Sequence, residues 1–246
     1  MKLFLFALAC LLSITNIFAQ RSSGTLTLFD KNWKETNDGK KAKYFLHKYR
    51  MDDTTWLYDY YNFIGPKIRQ ESYRDEAGKN PNGFYTYYNE NGLLDSCGNI
   101  FDNIKSGSWM YFKGETWKDL SYKTFNNGVL IKEDTGPDTS IINAVVEQES
   151  SFPGGQTGWQ RFLAKNLRYP DRAMDLRMTG SVTVMFIVDQ NGKINDPLLA
   201  KSVEYSLDDE ILRLISISPN WVPAMHNGKN VKSYKKQPVR FNFTKG

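Results

Sequence analysis

The chain has 246 residues, 40% of them hydrophobic, with 32 basic against 27 acidic side chains and a formal net charge of +5. That length is too great for one small domain and comfortable for two, and 2 cysteines cannot staple so long a fold, so its stability must come from apolar cores. The positive surplus is small, and it reads as a solvated basic face rather than a nucleic-acid patch.

In chain order, the first feature is a targeting segment. Lys2 is followed by an apolar run from Leu3 to Leu12 that weakens through Ile14 and Ile17 to the small residue Ala19. This pattern predicts a secretory signal over residues 1–19, cleaved before Gln20. Two alternatives stay open. The segment is short for an uncleaved anchor, which needs about 20 apolar residues. A lipoprotein signal would use Cys10, but the apolar run continues past it. Contact with a membrane is expected only if the segment is retained. Cleavage removes Lys2 and no acid, leaving a net charge of +4 and one cysteine, Cys97. The remaining charge is unevenly placed. Residues 21–146 balance 17 basic with 17 acidic side chains, whereas 147–246 hold 14 and 10, five of those cations lying between Lys229 and Arg240.

Next comes internal repetition. Tyr60–Gly65 (YYNFIG) returns as Tyr87–Gly92 (YYNENG), 27 residues on, and Gly83–Tyr88 (GFYTYY) returns as Gly107–Phe112 (GSWMYF), 24 residues on. A weaker echo is Tyr122–Gly128 (YKTFNNG). Each unit alternates aromatic and polar residues in period two. Asn82-Gly83, Asn91-Gly92 and Asn127-Gly128 supply the positive φ that hairpin turns need. The expectation is an all-β antiparallel repeat sheet over residues 20–132, in which neighbouring hairpins cover each other's aromatic faces. Residues 21–54, with Trp33 and Tyr44, are expected to be an irregular first repeat or cap. Around residues 55–132 the pattern resembles the MORN-like repeats of exported bacterial proteins.

Glu133–Ser140 (EDTGPDTS) is almost free of apolar residues and reads as an eight-residue linker within a boundary at 133–146. Ile141–Val146 is a short apolar, strand-like run. Beyond Phe152-Pro153-Gly154-Gly155, Trp159, Phe162, Leu163 and Leu167 form one stripe of a helix that Pro170 ends. Arg172–Met178 suggests a second short helical piece. Val182, Val184, Phe186 and Val188 alternate in a strand that Asn191-Gly192 turns into a partner from Ile194, which Pro197 marks as an edge or a bulge. Ser206 is the expected N-cap of a helix with Asp208, Asp209 and Glu210 in its first turn and Leu207, Ile211, Leu214 and Ile215 buried. Val239, Phe241 and Phe243 alternate in a last strand. The fold class expected for the whole is α+β, the second domain (147–246) being a two-helix, three-stranded sandwich.

That second region resembles the C-terminal domain of the TonB energy-transducer family. The resemblance rests on Tyr169-Pro170 with Ala173, Gly180 before an alternating strand, the Asp189–Gly192 turn, Trp221-Val222-Pro223-Ala224 after a helix, and Pro238-Val239-Arg240-Phe241 at the end. The Phe-Pro-Gly-Gly start and the loop through His226 are similar to a variant common in Bacteroidetes-type envelopes. The resemblance implies a periplasmic domain that takes a short extended segment of an outer-membrane transporter, or of another envelope protein, as an added strand. Placed on this chain, the expected edge is Gln237–Phe243. The expected contacts are Lys232, Lys235, Lys236, Gln237, Val239, Arg240, Phe241 and Phe243, the cations attracting an acidic segment. The chain departs from the transducers in lacking a long Pro-rich spacer, which argues against force transmission. A membrane-anchored transducer and a non-catalytic envelope scaffold remain as alternatives.

No enzyme, cofactor or metal site is expected. The two histidines, His47 and His226, have no assignable nucleophile or carboxylate, and no phosphate-binding Gly loop or nucleophile elbow occurs. Cys97, beside Gly98 in an aromatic strand, reads as a buried, inert thiol.

Overall fold

The computed structural model describes residues 24–113, 120–135 and 147–243, which fall into two compact units, 24–135 and 147–243. The signal segment with Cys10, residues 136–140 of the linker, and Ile141–Val146 lie outside the described residues.

The first unit is one antiparallel meander. Its strands are β1 (Thr25–Phe29), β2 (Tyr44–Arg50), β3 (Trp56–Asn62), β4 (Lys67–Tyr73), β5 (Gly83–Tyr88), β6 (Leu94–Phe101), β7 (Ile104–Phe112), β8 (Leu120–Asn126) and β9 (Val129–Thr135). They pair strictly in sequence order, so every hydrogen-bonded ladder joins chain neighbours. The expected antiparallel sheet is therefore present, and it runs past the expected end at residue 132 to Thr135. Residues 25–50, expected as an irregular first repeat or cap, supply two full strands. Glu133–Thr135 belong to β9 rather than to a linker, with Glu133 paired to Lys123 across the ladder at 3.2 Å.

The turns show which local signals carried weight. Asn127-Gly128 is a two-residue turn with φ of 48° and 78°. Asp102-Asn103 makes the same turn (φ 48° and 65°) without a glycine, a connection the Asn-Gly rule does not find. Asn82-Gly83 is not a hairpin turn. The chain loops from Arg74 to Asn82, where the Asp75 carboxylate gathers the N–H groups of Ala77, Lys79 and Asn80, and Gly83 opens β5.

On one face of the central strands of this sheet many side chains are buried. Phe45 stacks on Tyr61 (5.4 Å), and Asp59 (0% exposed) holds the Lys67 ammonium at 2.9 Å beside them. On the other face Trp109 is fully buried and donates its indole N–H to the Asn99 carbonyl at 3.0 Å. The ring lies flat on Gly98, where a Cβ would come within 2.4 Å of it, so no larger residue fits there.

The second unit contains α1 (Gly155–Asn166), α2 (Asp171–Asp175), β10 (Gly180–Val188), β11 (Ile194–Lys201), α3 (Tyr205–Ser216), β12 (Ala224–His226), β13 (Lys229–Val231) and β14 (Ser233–Phe241). The three-stranded sheet runs β11-β10-β14, with β12 and β13 as a separate ribbon turned by Asn227-Gly228. Val182, Val184, Phe186 and Val188 are buried, as are Leu207, Ile211, Leu214 and Ile215 of α3, which packs on β10 and β11. A fully buried aliphatic side chain contributes about 1.5–3 kcal/mol, so this stripe on stripe is the core.

Phe-Pro-Gly-Gly is the latch at the start of this unit. Phe152 inserts among Trp159 (5.3 Å), Phe162 (5.2 Å) and Trp221 (5.7 Å), and Trp221 meets Phe186 of the sheet edge-on at 5.0 Å. The two glycines adopt φ of 79° and 62°, which turns the chain into α1. The Pro153 carbonyl then lies so close to Gly158 that a Cβ there would sit 2.0 Å from it.

The start of α3 differs from the sequence expectation. The cap is Glu204, not Ser206. Glu204 is extended (φ −163°), and its carboxylate reaches forward to accept from the N–H groups of Ser206 (2.8 Å) and Leu207 (3.4 Å). Its second oxygen accepts from Arg172 Nε at 2.7 Å, which ties α2 to α3. Asp208 and Glu210 are also structural. Asp208 accepts from Val203 N–H and the Ser202 hydroxyl, and Glu210 accepts from Arg168 N–H and from Arg213. The last strand begins at Ser233, four residues before the expected Gln237, and α2 ends at Asp175.

Candidate partner-docking edge

The two outer strands of the β11-β10-β14 sheet differ in regularity. β11 shifts register twice against β10, between Thr183 and Val184 and between Met185 and Ile187. The second shift falls at Asp196-Pro197, where Asp196 takes φ 51°. Bulges of this kind twist an edge and spoil it as a template. β14 pairs with β10 over nine residues without a shift, from Gly180↔Phe241 to Val188↔Ser233. It is the terminal strand of the sheet among the described residues.

Proline fixes which way the β14 backbone points. An antiparallel strand turns alternate residues' N–H and C=O groups toward its neighbour and away from it. Pro238, having no N–H, fits with its nitrogen directed away from β10. Its carbonyl accepts from the Gln237 side chain at 3.3 Å. By the same alternation, Tyr234, Lys236 and Arg240 direct their backbone N–H groups to the outer side.

The sequence-predicted contact residues divide between the two faces of this strand. Val239 (3% exposed) and Phe241 (1%) point into the core opposite Val182 and Gly180, so their side chains cannot touch a guest. Their position along the strand suggested them as contacts, and strand alternation is the reason they are buried. Lys235 lies opposite Phe186, Lys236 opposite Met185 and Gln237 opposite Val184, all half-exposed. Lys232 and Arg240 are exposed. Phe243 follows the strand and stacks on Tyr169 at 5.0 Å. Tyr169 also meets Phe241 edge-on at 5.5 Å and donates its hydroxyl to the Met178 carbonyl, clamping the end of β14. Burial raises the pKa of that phenol, which keeps it a donor. In the sequence Tyr169 marks the end of a helix and, with Pro170, part of the family resemblance, and neither signal points to this clamp.

The charge of the edge is one-sided. From Lys229 to Arg240 the chain carries five cations and no acid. Lys229, Lys232 and Lys235 have no carboxylate within 4.0 Å among the described residues.

Groups that could do chemistry are otherwise occupied. An open cleft of about 250 Å³ lies between Arg168, Pro170, Tyr205, Ser206, Asp209 and Glu210, but both Glu210 oxygens are held by Arg213. His226 shares a contact with the Asn227 amide at 3.1 Å. Among the described residues no three His, Cys, Asp or Glu side chains gather where a metal could bind. Nor is any helix there long and apolar enough to cross a membrane, which says nothing of strands.

Residues 165–243 match the family model of the Gram-negative bacterial TonB protein C-terminal. The match covers the region from the end of α1 to just beyond β14, and domains of this family are non-catalytic, transport-associated modules of the cell envelope. No curated protein and no solved structure matches the chain.

Proposed function

We propose that residues 147–243 form an exported, periplasmic protein-binding module of TonB type. It takes an extended segment of an outer-membrane transporter, or of another envelope protein, as a further strand along β14. The observation that carries this reading is the unbroken nine-residue register of β14 at the end of the sheet, set against the doubly bulged β11. Backbone hydrogen bonds would supply affinity, and the five cations between Lys229 and Arg240 would draw in an acidic segment and hold it in register.

Proline substitution tests this, because adjacent residues of β14 direct their N–H groups to opposite sides. Lys236→Pro removes an outward donor and leaves the β10 ladder intact. Lys235→Pro breaks the ladder itself. The full chain, carrying a photo-crosslinker at Gln237 and expressed in its own envelope, should crosslink to an outer-membrane protein. Lys236→Pro should abolish that product while the fold survives. Crosslinking that persists in Lys236→Pro, or crosslinks confined to the chain itself, would refute strand addition at this edge.

A further inference from the structure

The first unit has a feature that the second unit's docking edge does not use. Reading the register straight across the meander, one line of partners runs Leu46, Tyr60, Arg69, Tyr87, Ser96, Tyr111, Ser121 on β2 to β8. Residues paired in this way project from the same face. Tyrosine occupies every second strand of the line, and a short polar or cationic residue stands between successive rings. Strands lie about 4.8 Å apart, so Tyr60, Tyr87 and Tyr111 recur at roughly 10 Å. The sequence repeats of 27 and 24 residues connect the same three tyrosines. All three rings are half-exposed.

Polar groups are held beside each ring. The Arg69 guanidinium lies 3.7 Å from the Tyr60 ring centre and binds Glu71 at 2.8 Å. Glu71 in turn accepts from the Tyr73 hydroxyl at 2.7 Å. At the other end Lys105 donates to the Tyr111 hydroxyl at 3.1 Å, and Lys123 is paired with Glu133. Tyr87 stands between them, 6.4 Å from Trp109. Flat rings suit the C–H faces of a sugar, and fixed donors and acceptors alongside suit its hydroxyls. Arg69 and Lys123 are each matched by a carboxylate, and of the three cations only Lys105 has no carboxylate within 4.0 Å among the described residues, so the line has little net charge with which to hold a polyanion.

We infer that the Tyr60–Tyr87–Tyr111 line binds an uncharged, extended β-linked glycan, one disaccharide unit per tyrosine. In such a chain alternate sugars face opposite ways, so the same face returns once per disaccharide, at about the spacing of alternate strands. A coiled, α-linked glycan has no such straight repeat and does not fit the line.

The test uses the full chain with cellohexaose and chitohexaose as probes, maltohexaose and phosphatidylglycerol vesicles as comparisons, and calorimetry as the readout. The expected result is binding of a β-linked hexaose that strengthens from disaccharide to hexasaccharide. Tyr87→Ser should weaken it at least about tenfold, the loss of one stacked ring, whereas Tyr122→Ser on the opposite face should not. In the unaltered protein, ring-proton shifts on titration should appear at Tyr60, Tyr87 and Tyr111, which keeps the test valid if Tyr87→Ser does not fold. Failure of both β-linked probes to bind would overturn the inference. So would equal binding of maltohexaose, binding of vesicles alone, or shifts confined to other tyrosines.

Discussion

The two units hold their sheets together by different means. In the first, nine strands follow one another in the chain, and each is stabilised by its neighbour through aromatic contacts and a buried ion pair. No helix covers either face among its described residues. In the second, three strands are collected out of order, with β14 returning beside β10 after a helix and a ribbon, and an aliphatic stripe of α3 covers them. The first arrangement tolerates a charged pair inside because Asp59 and Lys67 match each other at 2.9 Å. The second depends on apolar shape and on a few carboxylates that fasten helix ends. The same kinds of substitution should therefore damage the two units for different reasons.

The largest effect is expected at Asp59. Asp59→Ala removes the carboxylate 2.9 Å from a Lys67 ammonium that is only 3% exposed. Breaking a buried pair from one side costs about 3–5 kcal/mol. In chemical denaturation, with a fluorescence probe in each unit, the transition of the first unit should move to much lower denaturant while that of the second stays in place. A comparable loss is expected in the second unit from Trp221→Ala. Trp221 is 3% exposed and touches Phe152, Trp159 and Phe186, and truncating a ring of this kind costs about 3–5 kcal/mol. Here the shift should appear in the second transition alone. If either variant moves both transitions equally, the two units do not melt independently.

The contrast also explains what could be read from the sequence. The aliphatic alternation of Val182 to Val188 and the stripe of Leu207, Ile211, Leu214 and Ile215 were legible, because a period of 2.0 or 3.6 leaves one consistent buried face. The meander was legible from its repeated aromatic units, but β1 and β2 were legible only as an irregular first repeat or cap, since Thr25–Phe29 carries no repeat signature. The last strand was legible as a strand, but the facing of its side chains was not. Alternation announces a strand but does not say which face is covered, and Val239 and Phe241 proved to be the covered ones. Helix caps were the least legible: Ser206 has the favoured cap chemistry, yet the helix starts one residue earlier, and the side chain of Glu204 accepts from the N–H groups of Ser206 and Leu207.

That cap gives a smaller, sharper prediction. Glu204→Ala removes the acceptor for two backbone N–H groups of α3, at a cost of about 1–2 kcal/mol. The Arg172 contact adds little, because the arginine side chain is 35% exposed and screened by water. Glu204→Gln should recover part of the loss through its amide oxygen. Ser206→Ala should cost less than Glu204→Ala, and the opposite ranking would restore Ser206 as the cap.

The gentlest perturbation is alkaline pH, which removes no atoms and still separates the two units. In the first unit burial pushes the Cys97 thiol up to about 12 from 9.0, and raises Tyr58 to about 12 from 10.0, Tyr73 and Tyr85 further, and Tyr60 and Tyr87 in the same direction. In every case the fold favours the neutral form. The stability this contributes is complete below the unfolded values, near pH 9 to 10, and is lost as pH rises toward the folded ones. Tyr169 is shifted the same way in the second unit, by burial alone. The midpoint for unfolding the first unit should thus hold steady to about pH 9 and fall steeply above it, while the second declines less. Phenolate absorbance followed with circular dichroism checks this: ionisation of the first unit's tyrosines should coincide with loss of its sheet rather than precede it. Cys97 should stay unreactive to maleimide until the same transition. Labelling of Cys97 in the intact fold at pH 8 would show that the thiol is not held neutral by its surroundings.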